Sequence, residues 1–265
     1  MLTLSVALQG IGWWTPAMPD WPSARAALRG APVAAPTAAR PSAALLPPNE
    51  RRRASDSVLM ALQVADEACR AAAADRSALA SVFTHAHGDL AIVDALARTL
   101  AADPALLSPL RFHHSVHNAA SGYWAIAAAN RCASTALAAG AHSFAAGLLE
   151  ALTQCAADTR PVLLVGCDTE ATGPLRSVNG SRGLLAVALL LAPAPSPGRA
   201  LQAALVPATE APPLPDGAAA PLAEVGANAM ADALPLFAAL SDSTSTSLQL
   251  PLGGALALAL TLGPG

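Results

Sequence analysis

Apolar and polar positions fall in blocks along this chain, and the blocks take two periods. Residues 3–8 (TLSVAL) form a short apolar run that predicts a first strand, closed by Gly10 and Gly12. Residues 54–75 (ASDSVLMALQVADEACRAAAAD) switch to helical spacing. There Leu59, Leu62, Val64, Ala65 and Cys69 make an apolar stripe, and Ser55 or Asp56 is the expected N-cap. LASVFT (79–84) predicts a buried strand, and Asp89 to Leu100 a helix that stops before Pro104. A further helix is expected over Asn118 to Ala129, followed by a short strand, STALAAG (134–140), running into a tight turn. In the next helix Phe144, Leu148, Leu152 and Cys155 share one face. PVLLVGCD (161–168) and RGLLAVALLLAP (182–193) read as paired strands, and the end of the chain as an apolar strand after a double glycine. Residues 31–48 predict a surface loop, and 194–226 are rich in Pro and Ala and weakly patterned. Strands alternating with helices predict an α/β layered fold with a largely parallel sheet covered on both faces.

Composition then removes several function classes. The chain has 265 residues, 54% hydrophobic and 12% charged, with a mean hydropathy of +0.44. Much of that is alanine, and the longest strongly apolar run, Gly183 to Pro193, is too short to span a bilayer. No membrane span is expected, and the start lacks a basic region with a cleavage site, so the expected location is cytoplasmic. All fifteen basic residues are arginine, which removes Schiff-base and P-loop chemistry, since both need lysine. A net charge of −3, with only Arg51, Arg52 and Arg53 adjacent, argues against nucleic acid as a partner. Cys69, Cys132, Cys155 and Cys167 form no C-x-x-C pair, so free thiols in a reducing compartment are expected.

Two stretches carry candidate chemistry. In VFTHAHGDLA (82–91), His85, His87 and Asp89 have the H-x-H-x-D spacing and the donor types that suit zinc. Metallo-β-lactamase-like hydrolases using that motif continue it with a further His, where this chain has Leu90, and no histidine follows His142. A zinc-dependent hydrolase is therefore the alternative reading, short of ligands. In FHHSVHNAASGYW (112–124), His113, His114 and His117 stand at near-helical spacing without an acidic or thiol partner, which favours helix capping and packing over catalysis. No G-x-S-x-G elbow is present.

The order of elements carries the resemblance. A strand ending in GIGWWTP, a helix in WPSARAALRGAP, then SPLRFHHSVHNAASGYWAIA, STALAAG and PVLLVGCDTE follow in sequence. This progression resembles the N-terminal half of β-ketoacyl synthases of the thiolase fold. SVHNAASGYW and FAAGLLEAL resemble most the chain-length-factor-like subunits of aryl polyene pathways, and PLGGALALALTL resembles the strand that closes the ketosynthase domain. The resemblance implies a thiolase-like layered α/β fold. One complete mixed sheet would belong to residues 1–193, with a strongly reduced second half, 194–265, in the same domain.

Active ketosynthases carry a nucleophile in A-C-[ST]-[ST]-G at the strand-to-helix turn. Here the turn reads Ala136-Leu137-Ala138-Ala139-Gly140, so the glycine is kept and leucine stands at the cysteine position. The family's catalytic histidines lie further on, where this chain has none. The resemblance thus implies a non-catalytic subunit without a cofactor. It would pair with an active, cysteine-bearing ketosynthase and meet an acyl carrier protein through that complex. The pairing strand would be CASTAL (132–137), and the expected partner-facing residues are Ser115, His117, Asn118, Tyr123, Trp124, Thr135 and Leu137.

Overall fold

In the computed structural model the described residues are 3–33, 40–209 and 219–265. Parts of both Pro-rich stretches therefore lie outside the described residues. The first strand, β1 (Thr3–Trp14), is longer than expected because it runs through both glycines instead of ending at them. The reason is the helix laid across it. A Cβ on Gly10 would sit 2.0 Å from the Ala68 carbonyl oxygen, and one on Gly12 2.1 Å from that of Val64. Glycine here permits close packing of strand and helix.

That helix is α3 (Asp56–Ala71), preceded by α1 (Trp21–Leu28) and the short α2 (Pro48–Arg53). Ser55 caps α3 by accepting from the Val58 N–H, and the whole predicted stripe is buried. Ala43 and Leu46, in the stretch expected as a surface loop, are buried against the same helix. Strand β2 (Ala80–Thr84) is buried at every residue, and α4 (Leu90–Ala102) follows it. Next come α5 (Pro109–Ser115), a separate short helix that the sequence pattern did not reveal, and α6 (Ala119–Ala127). Strand β3 (Ser134–Leu137) leads into α7 (Ser143–Asp158), and then β4 (Val162–Asp168) and β5 (Leu185–Pro193) pair as expected.

Residues after 193 add β6 (Arg199–Pro207), α8 (Ala219–Leu222), α9 (Leu234–Ser241), β7 (Thr246–Gly253) and β8 (Leu256–Leu262). They do not build a second sheet. All eight strands form one, in the order β3-β2-β4-β5-β1-β6-β8-β7. Only β2–β3 and β2–β4 are parallel, and the other five pairings are antiparallel. The expectation of a largely parallel sheet is thus corrected to a mixed one. Parallel pairing survives only where α4–α6 and α7 supply crossovers long enough for it. One core, on the α1, α7 and α9 face, includes Trp13, Phe144 and Phe237; the other, on the α3 and α6 face, includes Trp14, Phe83 and Trp124. Among the described residues no helix is long and apolar enough to cross a membrane.

Candidate functional site

The parallel strands β2 and β3 lie side by side, and each ends in a loop that the sequence singled out. The β3 loop is a sharp turn. Gly140 has φ +57°, a conformation L side chains rarely adopt, and an added Cβ there would meet nothing within 4 Å. The glycine is required by the backbone, not by crowding. Ser143 locks the turn: its hydroxyl donates to the Gly140 carbonyl at 2.7 Å and accepts from the Ala139 N–H at 2.9 Å. Thr84 Oγ1 donates to the Ser143 carbonyl at 2.8 Å, tying the turn to β2.

Helix α7 has no side-chain cap of its own. Its first N–H groups are met from far along the chain, where Asp232 Oδ2 accepts from Ala145 at 3.0 Å and also from Phe144. Burial pushes Asp232 up to about 7. The hairpin between β7 and β8 closes the other side, since a Cβ on Gly253 would approach His142 Cδ2 to 3.3 Å. Sequence inspection missed Asp232 because nothing local marks a cap lying 87 residues from its helix.

At the position of the expected nucleophile, Leu137 is half-buried and packs on the core beside α7. It offers no lone pair, so no thioester can form there. The cysteines do not replace it. Burial pushes the Cys69 thiol up to about 12, Cys155 to about 11 and Cys167 well above the usual range. Thiols held neutral by burial are poor nucleophiles. Cys132 lies just before β3, away from the turn, and is partly exposed.

The β2 loop is the converse. His85 is fully buried, with Nδ1 2.9 Å from the Cys167 carbonyl oxygen and 3.3 Å from its sulfur. Burial, and then neighbouring His117, lowers its pKa to about 4, so it is neutral and Nδ1 carries the proton given to the carbonyl. Asp89 caps α4, accepting from the Ile92 N–H at 3.1 Å and from the Ser57 hydroxyl at 2.9 Å. His87 is exposed, and Gly88 makes the turn with φ +69°. Asp168 holds this loop by accepting from the N–H groups of Ala86 (2.8 Å) and His87, and burial pushes it up to about 7. Among the described residues no three His, Cys, Asp or Glu side chains come together to hold a metal ion. His85, His87 and Asp89 thus go three separate ways, and the zinc expectation loses its geometry.

The expected partner-facing residues gather near β3. Thr135 and Leu137 lie on that strand, half-buried, and Thr135 Oγ1 accepts from Gln154 at 2.9 Å. Ser115, His117 and Tyr123 are also half-buried and Asn118 is exposed. His117 Nε2 lies 3.3 Å from the His85 carbonyl, and the Tyr123 hydroxyl 3.4 Å from His114 Nε2. Trp124 differs: it is 1% exposed and belongs to the core under α6. Strand β3 ends the sheet. Ser81 and His85 donate to the carbonyls of Ala133 and Leu137. The alternation of a strand then turns the N–H and C=O groups of Ser134 and Ala136 toward the free edge.

The comparisons bear on this turn and this edge. The model of the beta-ketoacyl synthase N-terminal domain matches residues 21–250. The chain belongs to that family. No curated protein sequence matches it. Among solved structures, the ketosynthase ApeO in complex with its chain length factor ApeC, from Xenorhabdus doucetiae, is similar over 97% of this chain and 99% of the matched one. That likeness has a TM-score of 0.73 at 24% identity. The AntDE:AntF assembly, a type II polyketide synthase carrier protein with its ketosynthase, is similar over the full length of both chains, with a TM-score of 0.73 at 12% identity. A β-ketoacyl synthase from Burkholderia phymatum covers 72% of this chain but only 59% of its own length is matched, with a TM-score of 0.57 at 14% identity. At these identities the likeness speaks to the fold, which is a thiolase-like α/β fold with all eight strands in one mixed sheet.

Proposed function

We propose that this ketosynthase-family chain is a non-catalytic subunit of the chain-length-factor type. In this reading it pairs with a cysteine-bearing ketosynthase and helps shape the elongation of a carrier-bound acyl chain in aryl polyene or related polyketide assembly. The observation that carries the reading is Leu137: the nucleophile turn keeps Gly140 at φ +57° and its Ser143 lock, yet the reacting atom is missing. No histidine follows His142 to serve as acid or base. The free β3 edge beside that turn supports pairing with a second chain. The match in length to chains of ketosynthase complexes, against partial coverage of a longer synthase, supports it further.

Co-expression with a cysteine-bearing ketosynthase of the same organism tests the proposal. The expected result is a stable complex on gel filtration, with products longer or more uniform than the ketosynthase makes alone. Ala136→Pro removes an edge-facing N–H at a position where an edge strand tolerates proline, and is expected to abolish the complex. A ketosynthase that forms no complex with this chain and works equally well without it would overturn the reading.

A further inference from the structure

Asp168 and Asp232 clamp different loops, yet the fold makes them neighbours. Asn228 ties the segment that carries Asp232 to the end of β4. Its Nδ2 donates to the carbonyls of Asp168 (3.2 Å), Arg182 (3.1 Å) and Gly183 (3.0 Å), and its Oδ1 accepts from the Met230 N–H at 2.9 Å. Met230 in turn packs on β4, where a Cβ on Gly166 would meet its sulfur at 3.0 Å. The residue two before Asp168 thus lies against the residue two before Asp232. Asp168 is 2% exposed, and Asp232 Oδ1 is shut off from water with no hydrogen-bond partner. Neither carboxylate joins an ion pair among the described residues. Two such carboxylates repel when both are charged, so the second proton leaves with more difficulty than the first. Burial is the first cause that raises each, and Asp232 raises Asp168 further.

The hydrogen bonds of the two carboxylates say what their protons control. Asp168 accepts from Ala86 and His87, and so fixes the loop whose His85 N–H donates to the Leu137 carbonyl of β3. Asp232 accepts from Phe144 and Ala145, and so fixes the start of α7 directly after the β3 turn. Both clamps therefore end on β3. The β2 loop also brings His85, His87 and Asp89 near the pair, β4 brings Cys167, the loop after it Glu170 and Arg182, and the start of α7 His142. Burial keeps His85 and Cys167 neutral around neutral pH. We infer that Asp168 and Asp232 titrate as one unit that retains a proton at neutral pH, that losing it loosens the β2 loop and the β3 turn together, and that docking of the ketosynthase subunit is therefore proton-linked. This last step rests on the reading given above. A partner seated over these loops excludes the water that still reaches them, so the complex binds more protons than the free chain. Affinity then falls as pH rises.

A carboxyl NMR titration tests the pair in the chain alone, with Asp168→Asn and Asp232→Asn assigning the two signals. Asparagine keeps an acceptor for each clamped N–H. In the native chain each signal is expected to follow two steps, because each carboxyl senses the charge of the other. In Asp168→Asn, Asp232 is expected to titrate in one step and to hold its proton about tenfold less tightly than at the upper native step. Single-step curves at both native signals, or an Asp232 curve identical in the two proteins, would overturn the pair. Above the upper step, hydrogen exchange at Ala86 and Ala145 is expected to quicken together, after correction for the chemical rate. Unchanged protection of both would overturn the loosening. The co-expressed complex tests the last step. Between pH 6.5 and pH 8.5 its dissociation constant is expected to rise about tenfold for the native chain, and under about twofold for the Asp168→Asn, Asp232→Asn double variant, which keeps every histidine. An equal rise in both would assign the dependence to the histidines and overturn the proton link. If the native chain does not pair at either pH, the functional reading falls, while the titration of the chain alone still decides the pair.

Discussion

The loops that leave β2 and β3 are neighbours in space and opposites in content. The β2 loop holds two histidines and an aspartate at a metal-site spacing, and two of the three are tied up in folding contacts. The β3 turn, sharp at Gly140 and locked by Ser143, has leucine at the position where, in the reading proposed above, a nucleophile would stand. Chemistry-bearing side chains without a site stand beside a site without chemistry. Donor types in sequence therefore report function only when the backbone leaves them unsatisfied. Each loop is also clamped by one buried carboxylate, Asp168 for the first and Asp232 for the second.

Those clamps give the largest expected effect. Asp168 and Asp232 are both raised from 3.8 to about 7, chiefly by burial, so between those pH values the native state binds more protons than the unfolded chain. Stability attached to them is full below pH 3.8 and falls as pH rises toward 7, on the order of 4 kcal/mol for each if titrated alone. His85 works in the opposite sense. Its pKa falls from 6.5 to about 4, so its contribution is present above 6.5 and lost on acidification. Asp232→Asn keeps an acceptor for the Ala145 N–H and removes one titration. Urea unfolding of both proteins at pH 5 and pH 8 is expected to show the variant gaining on the native chain as pH rises. Equal differences at the two pH values would mean that Asp232 is already exposed to water.

Next in size is His85→Ala. It leaves the Cys167 carbonyl without its donor and opens a cavity beneath the β2 loop, for a loss of about 3 kcal/mol by denaturant unfolding. Zinc is expected to stabilise neither the native chain nor the variant. A saturable zinc-dependent rise in melting temperature of the native protein, lost in His85→Ala, would restore the metal reading of that loop.

How far the sequence disclosed this arrangement depended on whether the relevant contacts are local. Helix α3 was legible because its stripe and its Ser55 cap lie within one segment. The sharp turn after β3 was legible because Gly140 falls between two apolar blocks of different period. In sequence β1 ends at Gly10 and Gly12 because glycine reads as a breaker, whereas glycine stands there to admit a helix some fifty residues away. Strand β6 was hidden by alanine: Leu201 and Ala203 face the core, Ala200 and Gln202 face out, and the apolar–polar alternation blurs. The Asp232 cap was illegible for a related reason, since it depends on which part of a helix the rest of the fold leaves open.

Smaller effects sharpen the contrast at the β3 turn. Gly140→Ala adds a Cβ that meets nothing, so its cost is the left-handed backbone alone, about 1 kcal/mol in a urea titration. Leu137→Cys is expected to cost less still, because Leu137 is only half-buried. In the reading proposed above, that substitution supplies a thiol at the nucleophile position of the turn. It is nevertheless expected to carry no acyl group from a thioester donor, as read by intact-protein mass spectrometry, while reacting normally with a small alkylating reagent. A thiol needs a nearby base or cation to ionise and a proton donor for the leaving group. Of the groups lining the turn, Ser143 and Thr84 are engaged with backbone carbonyls, and Asp232 with the N–H groups of α7. His142 is the one histidine beside the turn, and it stands at the start of α7 against Gly253. Acylation of Leu137→Cys that disappears in the Leu137→Cys, His142→Ala double variant would show that more than the nucleophile had survived, and the two loops would no longer be opposites.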